Sequence, residues 1–136
     1  MIIADTNIIS YLLLPTPHSA SADKLYQIDS YWVAPILWKS EFRNVLTLYI
    51  RKKLITLGKA LQLQEAAEAL MLHNEFDIAS SQVLTLVEKS TCSSYDCEFV
   101  ALAEYLHCPL ITQDKKILAS FPSVAVTIED FLARQP

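Results

Sequence analysis

The stretch Pro109-Leu110-Ile111-Thr112-Gln113-Asp114-Lys115-Lys116-Ile117-Leu118-Ala119-Ser120 decides the fold. A short apolar run meets a polar bend carrying an acid, and an amphipathic stretch follows. That order reads as strand, turn, helix. The N-terminal segment repeats it: Ile2-Ile3-Ala4 runs into Asp5-Thr6-Asn7, and a short helix is expected over Ile8–Leu14. Both apolar runs are continuous rather than alternating, as strands covered on both faces require. Repeated strand-then-helix units specify an α/β domain with a parallel sheet.

Outward from these two units the same grammar continues. Pro15 and Pro17 stop the first helix, and a second is expected over Ser19–Ile28. Tyr31–Ala34 reads as a strand closed by Pro35, and Ile36–Lys53 as a long helix with Leu37, Trp38, Val45, Leu48 and Tyr49 at helical spacing. Thr56 caps a helix over Leu57–Leu72. Glu75–Ala79 is expected to be a short strand, Gln82–Lys89 a helix and Tyr95–His107 an amphipathic helix. Pro109–Thr112 is the strand of the opening stretch and Lys115–Ser120 its helix. A strand over Val124–Thr127 and a helix over Ile128–Arg134 complete the pattern. No repeat or interdomain linker interrupts it, so residues 1–136 read as a single domain.

Composition removes several function classes. The chain holds one glycine, Gly58. Phosphate-cradling loops and dinucleotide fingerprints need two or three, because backbone must approach phosphate closely. Hydrophobic residues make up 52%, enough for a substantial core. No apolar run approaches the roughly 18 residues of a membrane span. The start is apolar and meets Asp5 at once, unlike a secretory leader, so a cytoplasmic protein is expected. Cys92, Cys97 and Cys108 are an odd set with no CxxC, and no closely spaced His/Cys quartet exists, which disfavours disulfides and zinc. His107-Cys108 reads as a helix end that runs into a strand. The net charge of −4 is not that of a generic DNA coater, and the only basic cluster is Arg51-Lys52-Lys53.

In open parallel sheets ligands sit beyond the carboxyl ends of the strands. Asp5 and Asp114 both follow strands there. Each also stands where an N-cap belongs, so capping is the plain alternative. Glu41 falls among Leu37, Trp38, Val45 and Leu48 on the long helix, which places a carboxylate inside an apolar stripe. Neither Lys39 nor Arg43 faces it from the same helix. Ser93-Ser94-Tyr95-Asp96 matches a capping box, and Phe99, Val100 and Ala103 put Asp96 at the end of a buried face pointing toward Asp5. Glu98 and Glu104 read as surface acids, and Asp77 and Asp130 have no role.

Convergence of Asp5, Glu41, Asp96 and Asp114 would need compensation. Two like charges ~4 Å apart repel by ~4 kcal/mol at an effective dielectric of ~20. Either their pKa values rise or a divalent cation neutralises them. Oxygen donors without neighbouring His or Cys favour Mg²⁺ or Mn²⁺. Such clusters serve phosphodiester hydrolysis.

Taken together, Asp5-Thr6-Asn7, Glu41, Tyr95-Asp96, Ala101-Leu102-Ala103 and Pro109-Leu110-Ile111-Thr112-x-Asp114 resemble the PIN-domain nucleases, most closely VapC-type toxins of toxin–antitoxin pairs. The resemblance covers essentially the whole chain. It implies a Rossmann-like parallel sheet between helices and a metal-dependent endoribonuclease. Asp5, Glu41, Asp96 and Asp114 would hold one or two Mg²⁺ or Mn²⁺ ions, with Asn7, Ser94 and Thr112 as supporting polar residues. It also implies RNA as substrate, an antitoxin partner and a homodimer. A non-toxin RNA-processing nuclease or a catalytically idle binding module of the same fold are the neighbouring readings. A signalling receiver domain lacks its second acid after the first strand and its lysine after the last. An Asp-x-Asp phosphatase lacks its second acid, because Asn7 stands there.

Overall fold

A computed structural model describes all 136 residues. Five strands alternate with eight helices: β1 Ile2–Ala4, α1 Thr6–Leu13, α2 Ser19–Ile28, β2 Trp32–Pro35, α3 Trp38–Arg51, α4 Leu57–Met71, β3 Glu75–Phe76, α5 Ser80–Glu88, α6 Ser94–Leu106, β4 Leu110–Ile111, α7 Lys115–Ser120, β5 Ala125–Val126 and α8 Ile128–Ala133. The strands form one sheet in the order β3-β2-β1-β4-β5, and every neighbouring pair is parallel. The expected α/β class and flanked parallel sheet are therefore observed.

The apolar runs do what their continuity predicts. Ile2, Ile3, Ala4, Trp32, Val33, Ala34, Leu110 and Ile111 are all buried. On the sheet, α6 lies along β1, β2 and β4, with α5 packed against it. α1 and α4 contact β1 and β2 and gather α2 and α3 around them. No helix is long and apolar enough to cross a membrane. All three cysteines are free thiols.

Two expectations need correction. The inward stripe of α3 is Trp38, Phe42 and Leu46, whereas Leu48 is 50% exposed. Glu41 therefore stands one position off the core stripe and is half-buried, not enclosed by it. The helical period is as expected; which apolar face turns inward is set by α1 and α4, which pack against α3. Pro35 also belongs to β2 rather than closing it, since Pro35 pairs with Phe76.

Glycine scarcity has a visible backbone consequence. Lys53, His73 and His107 adopt φ of 60°, 67° and 54°, each just past the end of a helix. Glycine normally fills such left-handed positions. The one glycine instead lies in the first turn of α4.

Sheet order places the functional edge. β1 sits between β2, which continues the chain on one side, and β4 on the other, so the winding reverses between β1 and β4. A crevice opens outside the carboxyl ends of strands at such a reversal. The residues that follow β1 and β4 are Asp5-Thr6-Asn7 and Thr112-Gln113-Asp114.

Candidate functional site

A cleft of about 460 Å³ occupies that crevice, and its lining includes Asp5, Thr6, Asn7, Glu41, Asp96 and Asp114. The four acids singled out from sequence thus share one cleft. They reach it from four places: the end of β1, the first turn of α3, the first turn of α6 and the bend after β4.

Asp5 is the most enclosed of them. One carboxylate oxygen accepts from the Thr6 N–H at 2.8 Å, which caps α1; the other accepts from the Thr112 hydroxyl at 2.6 Å. Asn7 reaches the same oxygen weakly through its amide nitrogen at 3.5 Å. The Thr112 hydroxyl also accepts from the Asp114 N–H at 3.0 Å, so one fully buried side chain couples the loops after β1 and β4. Asp114 caps α7 with Oδ1, accepting from Lys116 N–H at 2.9 Å and Ile117 N–H at 3.0 Å. Capping and cleft lining are therefore compatible in both aspartates: cap bonds orient the carboxylate while the side chain still borders the cleft.

Glu41 is held by a residue to which sequence reading gave no role. The Thr6 hydroxyl donates to Glu41 Oε1 at 2.7 Å, across 35 positions of chain. Asp96 sits in the first turn of α6, where its N–H donates to Ser93 Oγ at 3.1 Å. Ser93 is thus the cap; Ser94, named from sequence as a support, lines a neighbouring cleft with Asp77 and Glu98 instead. The Ser-x-x-Asp spacing already carries the signal for Ser93.

Electrostatics follow from burial and crowding. Burial pushes the Asp5 carboxyl from 3.8 up to about 7; its bonds from Thr112 and Thr6 oppose the rise, and Glu41 and Asp96 add to it. Glu41 is raised chiefly by burial, against the Thr6 hydroxyl, with Asp96 and Glu98 contributing. Asp96 is raised by burial and then by Asp114, while Ser93 and the Lys116 ammonium pull it down. Glu98 is not a plain surface acid: it is half-buried, and burial with Asp77 nearby raises it. The ammonium of Lys39 lies 3.9 Å from Glu68, and the guanidinium of Arg43 bonds the Lys39 carbonyl and the Ser40 hydroxyl.

No three His, Cys, Asp or Glu side chains stand close enough together to clasp a metal ion as they lie. The donor set nevertheless suits a hard cation: carboxylates from four elements surround one cleft, and burial disfavours their charge. A second observation agrees. Asn7 Oδ1 is buried in the cleft wall without a hydrogen-bond donor, an acceptor that a cation or its hydration shell would satisfy.

Gln113, between Thr112 and Asp114, is bonded elsewhere. Its Oε1 accepts from the Ile128 N–H at 3.2 Å, and its Nε2 donates to Glu129 at 3.0 Å, tying the loop to α8.

Residues 2–123 match the family model described as PIN domain. The chain belongs to the PIN domain family. Among the relatives of this PIN domain, Ribonuclease VapC3 of Pyrobaculum aerophilum is 26% identical over 132 residues, covering 90% of this chain and 96% of that one. Among solved structures, FitAcB from Neisseria gonorrhoeae superposes with a TM-score of 0.75 at 16% identity, over 95% of this chain and 99% of that chain. A toxin–antitoxin complex from Klebsiella pneumoniae gives 0.71 at 17% identity, over 94% and 98% respectively. At these identities the superpositions establish the PIN fold itself.

Proposed function

We propose that this PIN domain is a metal-dependent endoribonuclease and the toxin of a type II toxin–antitoxin pair. The observation that carries the reading is the cleft at the β1–β4 reversal, where Asp5, Glu41, Asp96 and Asp114 meet around common space. The VapC3 relative, named a ribonuclease, and the toxin–antitoxin complex of the same fold support it.

Asp5, Glu41, Asp96 and Asp114 would hold one or two Mg²⁺ or Mn²⁺ ions. When bound, such an ion supplies Lewis acidity toward a phosphodiester and lowers the pKa of the attacking water. The chain's own part is orientation. Thr112 and the Thr6 N–H fix both oxygens of Asp5, the Thr6 hydroxyl fixes Glu41, and the α7 cap fixes Asp114. Asn7 supports Asp5 and offers its orphaned carbonyl oxygen. Asp5, Glu41 and Asp96 rise above their ordinary range because they are buried beside other acids. A cation held among them would favour their ionised form. Exposed Lys116 is close enough to Asp96 to lower it and would offer an RNA phosphate a counter-charge.

An antitoxin that covers this cleft is the expected partner, and the toxin reading carries a homodimer with it. The decisive experiment incubates purified protein with structured RNA and Mg²⁺ or Mn²⁺. Cleavage that disappears with EDTA and with Asp5→Asn supports the reading; cleavage retained by Asp5→Asn refutes the site. Expression should arrest growth, and co-expression of the adjacent small reading frame should relieve it.

A further inference from the structure

The acid cleft has a second half that the carboxylates do not use. α3 and the residue before it bring Leu37, Ser40, Asn44 and Val45 to the cleft alongside Glu41, and α6 contributes Tyr95 beside Asp96. Tyr95 is 60% exposed. It neither caps its helix, since Ser93 does, nor joins the core, which α6 fills with Cys97, Phe99, Val100, Ala101, Leu102 and Ala103. Tyr31 and Tyr105 are also exposed, but only Tyr95 borders the acids. Asn44 is exposed too, and the side-chain bonds along this part of α3 pass it by: Arg43 bonds Ser40, and Thr47 bonds the Arg43 carbonyl.

This half therefore offers one open aromatic face, two aliphatic side chains and a free carboxamide. A nucleobase has the matching chemistry, with apolar π-faces and a hydrogen-bonding edge. Two cations stand close by: Arg43 bonds Ser40, which lines the cleft, and Lys116 is near enough to Asp96 to lower it. Exposed aromatics bind single strands by stacking, largely irrespective of sequence, where positive charge tracks the backbone. Here that charge would come from the cation held by the carboxylates together with Arg43 and Lys116.

We infer that Tyr95, Leu37, Val45 and Asn44 form a subsite for one unpaired base of the RNA, next to the phosphate held at the acids. The base stacks on Tyr95, and Asn44 hydrogen-bonds its edge. This subsite rests on the ribonuclease reading and adds to it the side chains that hold a base beside the cut.

The test uses Asp5→Asn protein with Mg²⁺, so that RNA is bound without turnover, and fluorescence anisotropy of a short fluorescein-labelled single-stranded RNA. Adding Tyr95→Ala should weaken binding roughly tenfold or more, and Tyr95→Phe should stay within about twofold, because the ring carries the stacking. A series of RNAs, each lacking one base, locates the contact. At one position the missing base and Tyr95→Ala should cost no more together than either alone. Asn44→Ala should narrow the spread of affinities among oligo-A, oligo-C, oligo-G and oligo-U. Unchanged affinity in Tyr95→Ala overturns the subsite, as does an equal loss on every abasic RNA. An unchanged homopolymer spread removes Asn44 from it. Failure of the ribonuclease reading looks different: no RNA is cut by the wild-type chain under any divalent cation, whatever Tyr95 does.

Discussion

Replacing Asp5 by asparagine should make the metal-free protein more stable above neutral pH and leave it nearly unchanged near pH 5. Asp5 is 8% exposed, and its folded pKa stands at about 7 against an ordinary 3.8. The folded state therefore binds a proton that the unfolded state has lost between those values. Stability falls as pH rises through that window and levels off above it. That rise corresponds to about 4 kcal/mol at the plateau. Asparagine cannot ionise, so this loss vanishes. Against it stands the Thr112 hydroxyl bond to the second oxygen, which an amide nitrogen cannot accept, worth about 1–2 kcal/mol. At pH 8 the cost of ionising a buried carboxyl outweighs the lost bond, and the net gain is about 2–3 kcal/mol. At pH 5 the two nearly cancel. Urea unfolding of both proteins in EDTA at pH 5 and pH 8 measures the double difference, in which groups not coupled to Asp5 cancel and any relief of Glu41 and Asp96 adds to the gain at pH 8. A stability difference that is the same at both pH values refutes the argument. Saturating Mg²⁺ should then reverse the order at pH 8, because it binds the chain with all four carboxylates more tightly than the chain that has lost one.

Thr112→Val should lose at least tenfold in RNA cleavage and about 1–3 kcal/mol in stability, since it leaves the Asp114 N–H without its acceptor and Asp5 Oδ2 without its short hydroxyl bond. Cleavage rates and denaturant midpoints check the two halves separately. Phe42→Ala should cost about 3–5 kcal/mol, while Leu48→Ala should stay within about 0.5 kcal/mol, because only the first empties core space. Equal costs would mean that the inward face of α3 is misassigned. Gly58→Ala should stabilise by about 0.5–1 kcal/mol, its new methyl meeting only Thr56 Oγ1 at 3.9 Å. His107→Gly should gain a similar amount by relieving a left-handed residue; thermal melts decide both.

How much of the structure is legible in the sequence depends on the range of the cause. Strands and helices are legible because continuous apolar runs and helical spacing are local, and caps such as Thr56 and Ser93 mark their starts. Asp5 and Asp114 are legible because they directly follow strands. The inward face of α3 is not, because Trp38-Phe42-Leu46 and Leu37-Val45-Tyr49 are both apolar rows. Only the helices packed on α3 choose between them. The Thr6 hydroxyl bond to Glu41 is equally hidden, since Thr6 reads as an ordinary first helical residue until the chain has folded. Ser93 and Ser94 differ in a way that sequence does show: only Ser93 stands three residues before Asp96, the distance at which a cap accepts from the helix.

The contact between Gln113 and α8 has a consequence for how the cleft is kept in shape. The PIN match ends at residue 123, yet α8, which begins at Ile128, grips the residue between Thr112 and Asp114 through its own first N–H and through Glu129. Whatever loads or displaces that final helix pulls directly on the bend carrying an acid and its buttress. α8 thus serves as a splint lying beyond the family match, bracing from outside the cleft the bend that carries Thr112 and Asp114.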